Sequence, residues 1–134
     1  MSRPQGNKWI GIAAVSGFCA VMIGAFGAHG LESVLSEKMR ANFETGVRYH
    51  FYHTFALLAC GILHVIHPSK HLERAAICFL TGVVLFSGSL YVLAITGITK
   101  LGMITPIGGL AFLAGWITLL LHTIKPPQHP AKER

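Results

Sequence analysis

Three histidines, His29, His50 and His53, are the residues of this chain best suited to chemistry. Imidazole binds zinc, copper or iron, and it takes or gives a proton near neutral pH. His50 and His53 stand three apart, the spacing that puts two side chains on one helix face. Glu32, Glu44, Arg48 and Tyr49 lie near them in sequence. Further along, Ser87, Ser89 and Tyr91 place hydroxyls in an otherwise apolar stretch. The candidate ligand-binding set is therefore His29, Glu44, Arg48, His50, His53, Ser87, Ser89 and Tyr91, with His29, His50 and His53 as the candidate metal ligands. The spacing is looser than a zinc signature, and ordinary hydrogen bonds at a membrane boundary account for the same histidines. No nucleophile elbow, phosphate loop, dinucleotide fingerprint or HExxH is present, so no enzyme and no cofactor are expected. The one catalytic arrangement open to the chain is His50 or His53 as acid or base with Glu44 orienting it. His64, His67, His71 and His122 lie near loops and read as solvated or snorkelling side chains.

The elements that must position these residues follow from charge. Of 134 residues, 52% are hydrophobic and 12% charged. Four runs of 23, 21, 25 and 24 residues contain no Asp, Glu, Lys or Arg, and together they hold 93 residues. Soluble domains carry about a quarter charged residues. The formal net charge of +6 has no basic stripe on a soluble fold to carry it, which excludes nucleic acid as a partner. A bilayer core about 30 Å thick needs about 20 apolar residues per helix. Spans are expected at residues 9–28, 51–66, 75–96 and 101–124. Helices, unlike alternating barrel strands, satisfy their own backbone in lipid and tolerate runs such as Ala56-Leu57-Leu58-Ala59. Arg3 and Lys8 before the first run also resemble a signal peptide, but about 20 apolar residues exceed the 7–15 of a signal core. The fold class expected is all-α, a single integral membrane four-helix bundle in the lipid bilayer.

Positive charge sets the orientation. Arg3, Lys8, Lys70, Arg74, Lys125, Lys132 and Arg134 fall on one side of a four-span chain, and Lys38, Arg40, Arg48 and Lys100 on the other. Seven against four places both termini in the cytoplasm. Trp9 and Tyr49 sit near span ends, whereas Trp116 lies too deep for an interfacial aromatic. Cys19, Cys60 and Cys78 fall inside spans, form no CxxC pair and read as small apolar residues. The tail from Lys125 through Pro126 and Pro127 to Pro130 should end the last helix and fray.

Lipid does not drive helices together, so small residues mark packing faces. Ser16, Ala20, Gly24 and Ala28 recur every four residues in the first span, and Ala111 and Gly115 repeat the pattern in the fourth. Thr105-Pro106 suits a helix start, which leaves residues 99–104 as a bent or interfacial piece. Between the first two spans, Leu31, Val34, Leu35, Met39 and Phe43 alternate at helical spacing with Glu32, Glu37, Lys38, Arg40 and Glu44. Residues 31–44 are expected to form an amphipathic interfacial helix, ended by Thr45 and a left-handed Gly46.

Several blocks stand together: GAFGAHGL at 24–31, TGVRYH at 45–50, HTFAL at 53–57, LFSGSLY at 85–91, TPIGG at 105–109 and LAGW at 113–116. In this order they resemble the DUF423 family of small membrane proteins, over about residues 12–116. The resemblance implies a four-helix membrane protein of the bacterial plasma (inner) membrane and carries over no reaction and no catalytic residue. The role expected is a structural or accessory component of a membrane assembly, as a homo-oligomer or within a larger complex. The alternative is a module that binds or transports a small ligand, lipid or metal through the histidine cluster. No carboxylate lies within an apolar run, which argues against an ion-driven pump.

Overall fold

The computed structural model describes residues 5–124. The Pro-rich tail, and the Arg3, Lys125, Lys132 and Arg134 used for orientation, lie outside the described residues. The chain is all-α: α1 (Gln5–Gly30), α2 (Glu37–Ile66), α3 (Lys70–Gly82), α4 (Gly88–Thr96) and α5 (Thr105–Ile124). A single π-helical turn, Val83–Ser87, joins α3 to α4 without a break, and a 3₁₀ turn, Thr99–Met103, leads into α5. Among the described residues, four helices are long and apolar enough to cross a membrane: Asn7–Gly30, Glu37–Ile66, Lys70–Thr96 and Thr99–Ile124.

Local sequence explains the ends. Ser36 caps α2 by accepting the Met39 N–H at 3.3 Å, and Ser69 caps α3 by accepting the His71 N–H at 3.2 Å. Gly97, at φ 71°, closes α4 in the left-handed region that only glycine enters freely. Pro106 occupies the first turn of α5, where its missing N–H costs nothing.

The segment between the first two spans differs from expectation. Residues 31–36 form a tight turn, and α2 then runs from Glu37 through Gly46 to Ile66 without interruption. The expected amphipathic helix of residues 31–44 is the turn plus the first turns of α2, not a separate element. Gly46 is helical, not a left-handed cap. It is small for a packing reason, since a Cβ there would lie 2.9 Å from the Tyr91 ring and 3.3 Å from Leu90 Cβ. The apolar stripe was real but points into the bundle: Leu31 and Phe43 are buried with Ala94, and Leu35, Met39 and Val47 pack around them. Val34 falls off the stripe and is 73% exposed.

α2 and the α3–α4 helix form the centre, with α1 laid chiefly on α2 and α5 chiefly on α3. The main core gathers Trp9 and Ala13 of α1, Ala56, Leu57 and Cys60 of α2, Ala75, Ala76 and Phe79 of α3, Val83, and Phe112 of α5. Cys60 is fully buried there, as a small apolar residue would be, and all three cysteines are free. On α1, Ser16 and Ala20 are buried and Gly24 sits against Val47, whereas Ala28 is exposed past the contact. On α5 the buried small residues are Gly108 and Gly115, with Ala111 half-buried beside them. The outward faces carry Val15, Phe18, Val21, Leu110, Leu113 and Ile117, as lipid contact requires.

Candidate functional site

Two of the polar clusters in the bundle interior centre on histidines of α2. The first centres on His50, which is buried. Its Nε2 lies 3.1 Å from Ser16 Oγ on α1, and Ser16 Oγ lies 2.6 Å from Thr54 Oγ1. Its Nδ1 lies 2.9 Å from the Tyr91 hydroxyl on α4. The chain Thr54–Ser16–His50–Tyr91 thus ties three helices together. A hydroxyl both donates and accepts, so this chain can be polarised in either direction around a neutral ring. One step away, the Ser87 hydroxyl donates to the Gly46 carbonyl at 2.7 Å. That bond and the Tyr91 contact both depend on the π turn, whose wider winding ends at Ser87 and sets the facing of Tyr91.

The second cluster centres on His53, also buried. Its Nδ1 lies 2.8 Å from the Tyr49 carbonyl, and the Trp116 indole N–H donates to its Nε2 at 3.2 Å. A carbonyl only accepts and an indole only donates, so the ring is the neutral Nδ1–H tautomer with both nitrogens occupied. The ring lies flat on Phe112, with centroids 3.4 Å apart and planes at 9°. Trp116, anomalous as an interfacial aromatic, is this histidine's partner.

His50 and His53 therefore serve opposite neighbours, one towards α1 and α4, the other towards α5. His29 is exposed at the end of α1. The expected metal set of His29, His50 and His53 is not brought together, and among the described residues no group of three His, Cys, Asp or Glu could hold a metal. Rotation along α2 and the length of the 31–36 turn separate them. Glu44 pairs with Arg48 at 3.7 Å on an exposed face, i to i+4, and with neither histidine. Ser89 donates to the Phe86 carbonyl at 2.9 Å and lies 2.7 Å from Thr105 Oγ1, which stitches α4 to the start of α5.

A cluster expected to be solvated is partly buried at the opposite membrane face. His64 is 7% exposed, and its Nδ1 accepts the Ser69 N–H at 3.5 Å. Ser69 Oγ lies 3.2 Å from His122 Nδ1. Helix spacing alone carries no signal for this contact, because it joins α5 to a turn 53 residues away.

Residues 23–109 match the family described as "Protein of unknown function (DUF423)". A relative from Staphylococcus haemolyticus, named UPF0382 membrane protein SH2409, is 46% identical, with 85% of this chain and 93% of the relative covered. The chain belongs to the DUF423 family. Its Bacillus subtilis relative, UPF0382 membrane protein YwdK, is 41% identical over 85% of this chain and 94% of its own. The Escherichia coli relative, UPF0382 inner membrane protein YgdD, is 38% identical over 84% and 86%. No solved structure matches. These relatives are named as bacterial membrane proteins, and the apolar four-helix bundle of this DUF423 chain is likewise an integral membrane protein.

The DUF423 chain's polar clusters have a measurable structural weight. Tyr91→Phe keeps the ring against Phe43, whose centroid is 5.1 Å away, and removes only the hydroxyl. We expect a loss of about 1 kcal/mol, the range of interhelical hydrogen bonds in membranes, read from unfolding in mixed micelles. Ser16→Ala should cost a similar amount, and the double variant should cost less than the two together because both act through His50.

Proposed function

We propose that this protein is a small accessory component of a membrane assembly, acting through lateral association rather than catalysis. The observation that carries this reading is saturation. His50, His53, Ser87, Ser89 and Tyr91, the interior groups best suited to chemistry, are each engaged by partners within the chain. Among the described residues, no buried side-chain nitrogen or oxygen lacks a partner. Such groups fix helix register, and their own donors and acceptors are occupied within the chain. The flanking helices support the same reading. Only 17% of the apolar stretch of α1 and of α5 is buried within the chain, against 44% for the two central spans. We place the protein in the bacterial plasma membrane with both termini cytoplasmic, following its positive charges and the names of its relatives.

Photo-cross-linkers at Phe18 on α1 and Leu113 on α5, in native membranes, test the proposal. Both sites should yield protein adducts, either of a second copy or of a larger partner. Lipid adducts alone, with a strictly monomeric protein, would overturn it.

A further inference from the structure

A cleft of about 570 Å³ lies where the end of α1 meets the first turns of α2. Its floor is made of small and apolar residues, among them Gly24, Gly27 and Val47, and its rim carries both charge signs. Glu37, Arg40, Glu44 and Arg48 alternate in sign at three- and four-residue spacing along the start of α2, and Glu32 lines the cleft from the turn before it. Glu44 and Arg48 already pair. Among the described residues, Arg40, Glu32 and Glu37 have no ion pair within 4.0 Å to occupy them. At 1.5 Å per residue the 30-residue α2 is about 45 Å long, some 15 Å more than a bilayer core. The charged first turns of α2 therefore stand at headgroup depth, with an apolar wall continuing below them.

We propose that this cleft is a binding site for a phospholipid with a zwitterionic, ethanolamine-type headgroup. The Arg40 guanidinium matches the phosphate in fork geometry, and the Glu32 and Glu37 carboxylates match the ammonium. An anionic headgroup would use Arg40 but face the Glu32 and Glu37 carboxylates with nothing to offer them. A purely cationic ligand would meet the reverse problem at Arg40. The glycines let α1 close on α2 to form the floor: a Cβ on Gly24 would sit 3.2 Å from Val47, and one on Gly27 would collide with the Phe43 ring. This inference goes beyond the accessory role, and its failure would leave that role untouched.

The test uses the full-length protein, delipidated in detergent and then returned to mixed nanodiscs holding equal phosphatidylethanolamine, phosphatidylglycerol and phosphatidylcholine. Native mass spectrometry reads which lipid stays bound. Phosphatidylethanolamine should be retained about tenfold over phosphatidylglycerol, and more than phosphatidylcholine, whose quaternary ammonium has no N–H to donate. Arg40→Gln should reduce retention about tenfold, with Arg40→Lys between the two. Neutralising the rim carboxylates as the Glu32→Gln, Glu37→Gln, Glu44→Gln triple variant should turn the preference towards phosphatidylglycerol. These positions are on the rim, and an unchanged unfolding midpoint confirms that each variant keeps the bundle. Equal retention of all three lipids, or a preference unmoved by the rim variants, overturns the proposal. Binding of soluble glycerophosphoethanolamine as tight as that of the lipid overturns it too, by assigning the cleft to a water-borne ligand.

Discussion

Valine at position 108 should unseat α5. A Cβ on Gly108 would fall on the backbone of Phe86, 2.7 Å from its Cα, inside the π turn. Backbone cannot rotate away as a side chain can, so the helices must separate. Separation would pull Phe112 from its place beside Gly82 and from the His53 ring. We expect Gly108→Val to cost at least about 3 kcal/mol, the upper end for overpacking, because no rotamer relieves it. Two comparisons isolate the cause. Gly115→Ala places its Cβ 2.7 Å from the Phe79 ring, a side chain that can shift, and should cost less. Gly88→Ala meets nothing within 4 Å and should be neutral or slightly stabilising, since alanine is the better helix former. Unfolding in mixed micelles, followed by tryptophan fluorescence, ranks the three. Gly108→Val as stable as Gly88→Ala would refute the close α5 approach.

The Gly108 contact marks where sequence reading ended and packing began. Four uncharged runs are enough to specify four membrane helices, because the bilayer imposes length and apolarity on each independently. The start of α5 at Thr105 was equally legible, since proline restricts its own position locally. The π turn at Val83–Ser87 left no local trace. It inserts one wide turn in an unbroken apolar helix, where Phe86 meets Gly108 and the Ser87 hydroxyl meets the Gly46 carbonyl. Small residues every four positions pick out Ser16, Ala20, Gly24 and Ala28 alike, whereas the structure buries Ser16 and Ala20, seats Gly24 against Val47 and leaves Ala28 exposed. Spacing shows which residues share a stripe, not where along it the neighbour ends.

Gly46 shows how a correct pattern produced an incorrect element. A glycine after an amphipathic run is a common helix stop, and here it is a contact point inside a longer helix. The difference lies in Tyr91 and Leu90, which approach it from α4, 44 or more residues away in sequence. The same holds for the site. His50 and His53 were legible as polar residues at the head of a span, and their i, i+3 spacing implied one face. Each instead reaches the neighbour nearest its own edge of that face, Ser16 and Tyr91 for one, Trp116 for the other. The partners come from α1, α4 and α5, and no local spacing encodes which of them a helix turns towards.

His53→Ala is the substitution that separates a structural from a metal-binding histidine. Removing the ring strips Phe112 of its stacked partner and leaves the Trp116 N–H without an acceptor in an apolar surrounding. The cavity and the lost hydrogen bond together should cost about 3 kcal/mol. His53→Gln keeps an acceptor oxygen within reach of the indole and should recover the hydrogen-bond share, about 1 kcal/mol, while the stacking loss remains. Stability in micelles should therefore rank wild type, then Gln, then Ala, with the Trp116 emission of the Gln variant nearer that of wild type. Added zinc should change none of the three midpoints. The reason is geometric: Nδ1 is committed to the Tyr49 carbonyl and Nε2 to the indole, so no lone pair is free until Trp116 swings away. A metal role requires the opposite pattern, with zinc stabilising the wild type, no response from the Ala variant, and stoichiometric metal lost on its substitution. If zinc raises the wild-type midpoint and His53→Ala abolishes that rise, the neutral hydrogen-bonded ring is not the working state of this histidine.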